Sequence, residues 1–119
     1  MTELRFFVPG KPVPKGRPRL GGGRVYTPRK TRAYENAVAW AAQIAAQHAG
    51  WETTSQPVSV SISLAGRKKV RFDIDNVTKS ICDGMNGVVY VDDRQIVRVE
   101  TALMPEVEHM GASVTVRII

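Results

Sequence analysis

The chain has 119 residues, 17 Lys and Arg against 11 Asp and Glu, a net charge of +6 and a pI near 9.9. That length fits one domain closing its own hydrophobic core, and the charge suits phosphate-bearing partners. A single cysteine, Cys82, excludes an internal disulfide. Two isolated histidines, His48 and His109, give no zinc-ligand spacing, and no apolar run reaches signal-peptide or membrane-span length, so a cytosolic protein is expected.

In chain order, residues 3 to 9 (ELRFFVP) predict a first strand, closed by Pro9-Gly10. Lys11 to Arg32 follows with eight basic residues (Lys11, Lys15, Arg17, Arg19, Arg24, Arg29, Lys30 and Arg32) and no acidic one. Pro12, Pro14, Pro18 and the run Gly21-Gly22-Gly23 argue for a flexible loop over about 10–27, disordered alone and settling on phosphates. Thr27 as cap, Pro28 at the first helical position and Gly50 past the end predict a helix over 28–49, about 33 Å long at 1.5 Å per residue. Its expected buried stripe is Tyr34, Ala37, Val38, Ala41, Ile44 and Ala45. Residues 57 to 65 (PVSVSISLA) alternate as a half-buried strand. A second basic cluster, Arg67, Lys68, Lys69 and Arg71, leads into a second helix capped by Asp75 or Asn76, striped by Val77, Ile81 and Met85 and stopped at Asn86-Gly87. A short apolar run at 88–91, a turn at Asp92-Asp93 and strands near 95–103 and 108–118 complete a β-α-β-α-β-β order. The expected fold is α+β: two layers, a mixed four-stranded sheet with two helices on one face.

The acidic residues concentrate where the basic ones do not. Asp73, Asp75, Lys79 and Asp92-Asp93 fall within little more than twenty positions. In an extended run into the helix, Asp73 and Asp75 project to one side and can share a cation, with Lys79 one turn beyond Asp75 on the same face. Asp83 continues that row but lies about 12 Å from Asp75 along the helix, outside a common ligand shell. Asp92 and Asp93 join only through tertiary folding. Each residue has a plainer explanation: Asp75 as a cap, Asp92-Asp93 as a turn, Lys79 as an ion-pair partner. Trp40 and Trp51 are expected in the packing, while Phe6, Phe7 and Tyr26 keep a base-stacking role open.

The combination of D-x-D-N at a helix start, a lysine one turn on, an aspartate on that helix and a following D-D pair resembles the RusA-type Holliday junction resolvases. Asp73, Asp75, Asn76, Lys79, Asp83, Asp92 and Asp93 occupy those positions, and FFVPGKPVPKGRPRL and RVYTPRKTRAYE are similar to the opening of phage-type members. The chain departs from the pattern at Phe72, where proline is usual. The resemblance implies an endodeoxyribonuclease dependent on Mg²⁺, with Mn²⁺ as a substitute, in the cytoplasm of a bacterial or phage-infected cell. It implies a homodimer that nicks opposing strands of a four-way junction in DNA recombination and repair. Asp73, Asp75 and Asp93 would hold metal with Asp92 beside them, and Lys79 would stabilise a non-bridging oxygen or the leaving group. Two other readings compete: a catalytically silent junction-binding module, and a D-x-D metal-dependent transferase, which the lack of a G-x-x-x-x-G-K-[ST] loop disfavours.

Overall fold

The alternation of Val58, Val60, Ile62 and Leu64 with serines organises the fold. These four side chains are at most 2% exposed, while the intervening serines stay half-exposed on the other face. They belong to β4 (Val58–Ala65) in a computed structural model that describes residues 2–16, 19–21, 24–66, 73–104 and 109–119, with 19–21 and 24–26 described in backbone only. Around it lie β1 (Glu3–Pro9), the short strands β2 (Arg19–Gly21) and β3 (Arg24–Tyr26), α1 (Arg29–Ala49), α2 (Ile74–Gly84), β5 (Ile96–Met104) and β6 (Gly111–Ile118). The main sheet has the order β1-β6-β4-β5, with β4–β5 parallel and the other two pairings antiparallel. The parallel pair requires a crossover, and α2 supplies it. This is the expected mixed α+β arrangement, with one addition: β2 and β3 form an antiparallel hairpin within the segment read as loop.

One sheet face is dry. Leu4, Phe6 and Val8 of β1 and Ala112, Val114 and Val116 of β6 join the β4 row, and Val38, Val77, Ile81 and Met85 close over them from the helices. α1 buries Thr31, Tyr34, Val38, Ala42 and Ala46. The expected stripe is therefore rotated: Ala37 and Ile44 lie exposed, because the helix faces the sheet and α2 together along a near-four-residue spacing. Trp51 is buried and donates through Nε1 to the Val89 carbonyl at 3.0 Å, as packing requires, but Trp40 is 67% exposed and belongs to no core. It lines an apolar groove with Phe7, Pro9, Ala37 and Ile44. Phe6 is buried and Phe7 is 43% exposed, and the side chain of Tyr26 lies outside the described residues.

α1 begins one residue late, at Arg29. Pro28 occupies the cap position with no side-chain bond, so Thr27 does not cap it, and Gly50 ends the helix in the left-handed region at φ 70°. α1 meets α2 at Gly84, where an added Cβ would lie 2.8 Å from Val38 Cβ and 2.9 Å from the Glu35 carbonyl oxygen. Backbone is one of the two obstacles and cannot give way as a side-chain tip would. Gly84→Ala is therefore expected to lower stability by about 1–3 kcal/mol, the usual cost of overpacking. Urea denaturation measures it; an unchanged midpoint would mean the two helices separate freely.

Candidate active site

The acidic residues are placed by three local structures. The first is the start of α2. Asp73, in extended backbone, is its N-cap: Oδ1 accepts from the Asn76 backbone N–H at 3.2 Å and Oδ2 from Asn76 Nδ2 at 2.8 Å. The helix thus begins before Asp75, not at it. Asp75 becomes the second helical residue, in the first turn, where the exposed amides favour a carboxylate. The expected extended pair is corrected accordingly: Asp73 caps and Asp75 sits on the helix, both exposed.

The second is the knot that carries Asp92 and Asp93. The run 88–91 forms turns rather than a strand, bound to the 51–56 segment by Thr54 N–H to the Val89 carbonyl and Val91 N–H to the Thr54 carbonyl, each 3.1 Å. Tyr90, fully buried, donates its hydroxyl to the Cys82 carbonyl at 2.7 Å. This last bond fastens the turn to the end of α2. Asp92 then caps a single 3-10 turn, Asp93–Gln95, through the Arg94 amide. Gln95 closes a capping box on the Asp92 N–H and donates to the carbonyls of Thr54 and Gln56. Two consecutive carboxylates are held there by a polar side chain that composition alone does not single out.

The third is the approach of Asp93 to Asp83, near enough that each carboxyl shifts the titration of the other. Lys79 reaches the same spot, its Nζ 3.4 Å from Asp83 Oδ1. Asp83, expected outside the metal shell, pairs with both Lys15 and Lys79, and Lys79 turns toward it rather than toward Asp75. Burial, then the Asp83 and Asp92 carboxyls, hold the Asp93 carboxyl above the usual carboxylate range. Burial pushes Asp83 the same way, but hydrogen bonds from Lys15 and Asp93 outweigh it and leave Asp83 below that range. The Arg94 amide and guanidinium lower Asp92. Burial pushes the Cys82 thiol up to about 11, so it is no nucleophile at neutral pH.

Lys15, expected at phosphate, points elsewhere. Its ammonium lies 2.6 Å from Glu35 Oε2 and 3.0 Å from Asp83 Oδ2, with its side chain 21% exposed. The segment around it is stitched down rather than loose: the Lys15 N–H donates to the Asn76 carbonyl, Ser80 Oγ to the Val13 carbonyl and the Gly16 N–H to Thr31 Oγ1. Sequence did hold one signal for this, since Glu35 is the sole acid of α1. Lys11, Arg29, Lys30 and Arg32 are exposed. The last three crowd the first turn of α1, whose dipole disfavours cations. Arg17, Arg67, Lys68, Lys69, Arg71 and Phe72 lie outside the described residues, as do the side chains of Arg19 and Arg24.

The donor chemistry fits a hard divalent cation, being carboxylate oxygen throughout. Asp83 and Asp93 raise each other's cost of ionising, a conflict that a nearby cation relieves. In this side-chain arrangement no three His, Cys, Asp or Glu groups among the described residues converge closely enough to hold a metal. No described helix is long and apolar enough to cross a membrane.

Comparison with known proteins meets this geometry independently. The family model for endodeoxyribonuclease RusA matches residues 9–119. The chain is 30% identical over 122 residues to the crossover junction endodeoxyribonuclease RusA of Aquifex aeolicus (strain VF5), covering 98% of this chain and 93% of that protein. It is also 30% identical over 122 residues to the uncharacterized protein YqaN of Bacillus subtilis (strain 168), covering 82% of this chain and 84% of that one. With its α+β frame, D-x-D helix start and D-D turn, the chain belongs to the RusA endodeoxyribonuclease family.

Proposed function

We propose that this protein is a divalent-metal-dependent endonuclease that resolves four-way DNA junctions by paired, symmetric hydrolysis of phosphodiester bonds. The observation that carries the reading is the convergence of Asp93, Asp83 and Lys79 at one side of α2, the helix that Asp73 and Asp75 open. Asp73, Asp75 and Asp93 are the proposed ligands of Mg²⁺ or Mn²⁺, with Asp92 holding the turn in shape. Bound there, the cation supplies charge neutralisation and a water of lowered pKa. Lys79, half-exposed, brings positive charge to the scissile phosphate, and Asp83 keeps its ammonium at the site. Two cuts related by a two-fold axis call for two such sites, hence a homodimer. Recombination and repair are the settings in which such substrates arise.

Binding of phosphates falls to Lys11, Arg29 and Lys30, together with Arg17, Arg19, Arg24, Arg67, Lys68, Lys69 and Arg71. Cations in the first turn of a helix cost about 0.3–1 kcal/mol each, so their place at α1 suits a ligand better than the fold. Replacing Arg29 and Lys30 by Ala should flatten the dependence of log K on log salt by about 0.9 for each phosphate no longer neutralised, with thermal stability equal to or above that of wild type. A slope equal to wild type would remove α1 from the DNA surface.

The reading itself is tested by cleavage of a labelled four-way junction beside a linear duplex of the same sequence, with Mg²⁺ or with EDTA. Paired symmetric nicks on the junction alone, only with metal, are expected. Tight binding without nicks in any divalent metal would leave a silent binding module, and equal cutting of the linear duplex would sink junction specificity.

A further inference from the structure

Lys15 is the one cation of the amino-terminal basic segment whose described side chain turns away from solvent. It reaches Glu35 on α1 and Asp83 on α2 at once, and Asp83 in turn pairs with Lys79 and lies near Asp93. Two lysines, from the segment 11–16 and from α2, thus meet on a single carboxylate, with Glu35 behind one of them and Asp93 nearby. The arrangement has an electrostatic logic. Asp83 and Asp93 would repel at neutral pH, and Asp83 left unpaired would also draw the Lys79 ammonium wholly to itself. A second cation on Asp83, held from behind by Glu35, reduces both effects.

The backbone around Lys15 makes this a fixed post. Its own amide is spent on the Asn76 carbonyl at 2.8 Å, and Ser80 Oγ donates to the Val13 carbonyl at 2.6 Å. Asn76 and Ser80 both lie on α2, so the main chain of this segment is aligned along the helix that carries Lys79 and Asp83. A lysine meant for phosphate would not be expected to have its ammonium closed in by two carboxylates, since pairing them away from DNA removes the charge that DNA would seek.

We propose that Lys15 is a positioning residue of the nuclease site, neutralising Asp83 so that Asp93 and Lys79 can share its neighbourhood, and that it does not touch DNA. The inference rests on the nuclease reading for its catalytic part only. Its structural part, an internal clamp as opposed to a phosphate ligand, stands apart from cleavage.

The test uses the full chain with Lys15→Met, Lys15→Arg and Glu35→Gln. Junction binding is measured in EDTA across a salt series, and single-turnover cleavage at saturating junction with Mg²⁺. Lys15→Met should keep the wild-type salt slope and lose cleavage at least tenfold at saturation, and Lys15→Arg, which keeps the charge, should restore most of it. Glu35→Gln should also keep the slope, with a smaller loss of rate, and it serves if Lys15→Met fails to fold. A slope lowered by about 0.9 in Lys15→Met, the signature of one phosphate no longer neutralised, overturns the proposal whatever the rate does. So does a rate equal to wild type in Lys15→Met, or in Glu35→Gln where that variant carries the test. Wild type that binds junctions without cutting them would instead sink the nuclease reading, and the salt slope would still decide whether Lys15 faces DNA.

Discussion

Asp73→Asn should abolish cleavage while leaving the fold and junction binding intact. The separation is possible because its capping and its proposed metal binding differ in what they need. As the cap of α2 it needs a side-chain oxygen to accept from the Asn76 amide, and Asn caps helices about as well as Asp. As a metal ligand it needs the charge. Removing one carboxylate from a site that stabilises a phosphoryl transition state through a cation should cost about 4 kcal/mol of barrier, roughly 10³ in rate. Single-turnover cleavage reads the loss, a thermal melt reads the cap, and binding in EDTA reads the DNA surface. Asp73→Ala is the less useful variant, since losing the cap alone costs about 1 kcal/mol and confuses the two effects. Wild-type cleavage by Asp73→Asn would exclude Asp73 from the metal site and leave it a helix cap only.

Asp93→Asn should do two opposite things: end cleavage and raise thermal stability near neutral pH. The folded protein holds the Asp93 carboxyl above the usual carboxylate range, first through burial and then through Asp83 and Asp92. A group whose folded value is raised binds its proton more tightly folded than unfolded. It therefore adds stability at low pH, and that contribution is lost as pH rises through the raised value. Asp83, held low, acts in the other direction, its contribution present above the usual range and lost as pH falls through the depressed value. At neutral pH the ionised Asp93 works against the fold, and an amide removes that conflict. Because the pair is partly solvated, its worth is under about 1 kcal/mol, or a rise of roughly 2–5 °C in Tm for a domain of this size. Mg²⁺ should raise the Tm of wild type and have little effect on the variant. A variant less stable than wild type at pH 7, gaining nothing relative to it as pH rises from 4, would refute this account. Cleavage by wild type should likewise fade as pH drops through the raised Asp93 value, since a protonated carboxyl is a poor ligand.

What sequence conveyed depended on how far apart the deciding contacts lie. The register of β4 was legible because a period of two is local, and so was the left-handed stop at Gly50. The start of α2 was misplaced because Asp73, Asp75 and Asn76 all have side chains that can cap; only the bond from the Asn76 amide decides among them. The hairpin of β2 and β3 was hidden by glycine and arginine, which weaken any strand pattern. Trp40 reads as core by type, yet it lies outward because the helix spends its inner face on smaller residues. Asp73, Asp75, Lys79 and the D-D pair stand out in the sequence by their spacing, but the place of Asp83 does not. That place depends on Lys15 and Glu35, twenty residues apart, and on a turn nearly sixty residues further on, and no spacing rule links the three.

The position of β6 has a bearing on when this enzyme can act. It follows the other described elements in sequence and yet lies inside the sheet, joining β1 to β4. Its pairing with β1 links residues as distant as Glu3 and Arg117. Until that strand is made, the first edge of the sheet has no partner and the floor beneath the two helices is half missing. Such long-range closure is slow, and it comes last. During synthesis, therefore, a chain that already carries Asp73 to Asp93 but not yet β6 is expected to be unable to cut DNA.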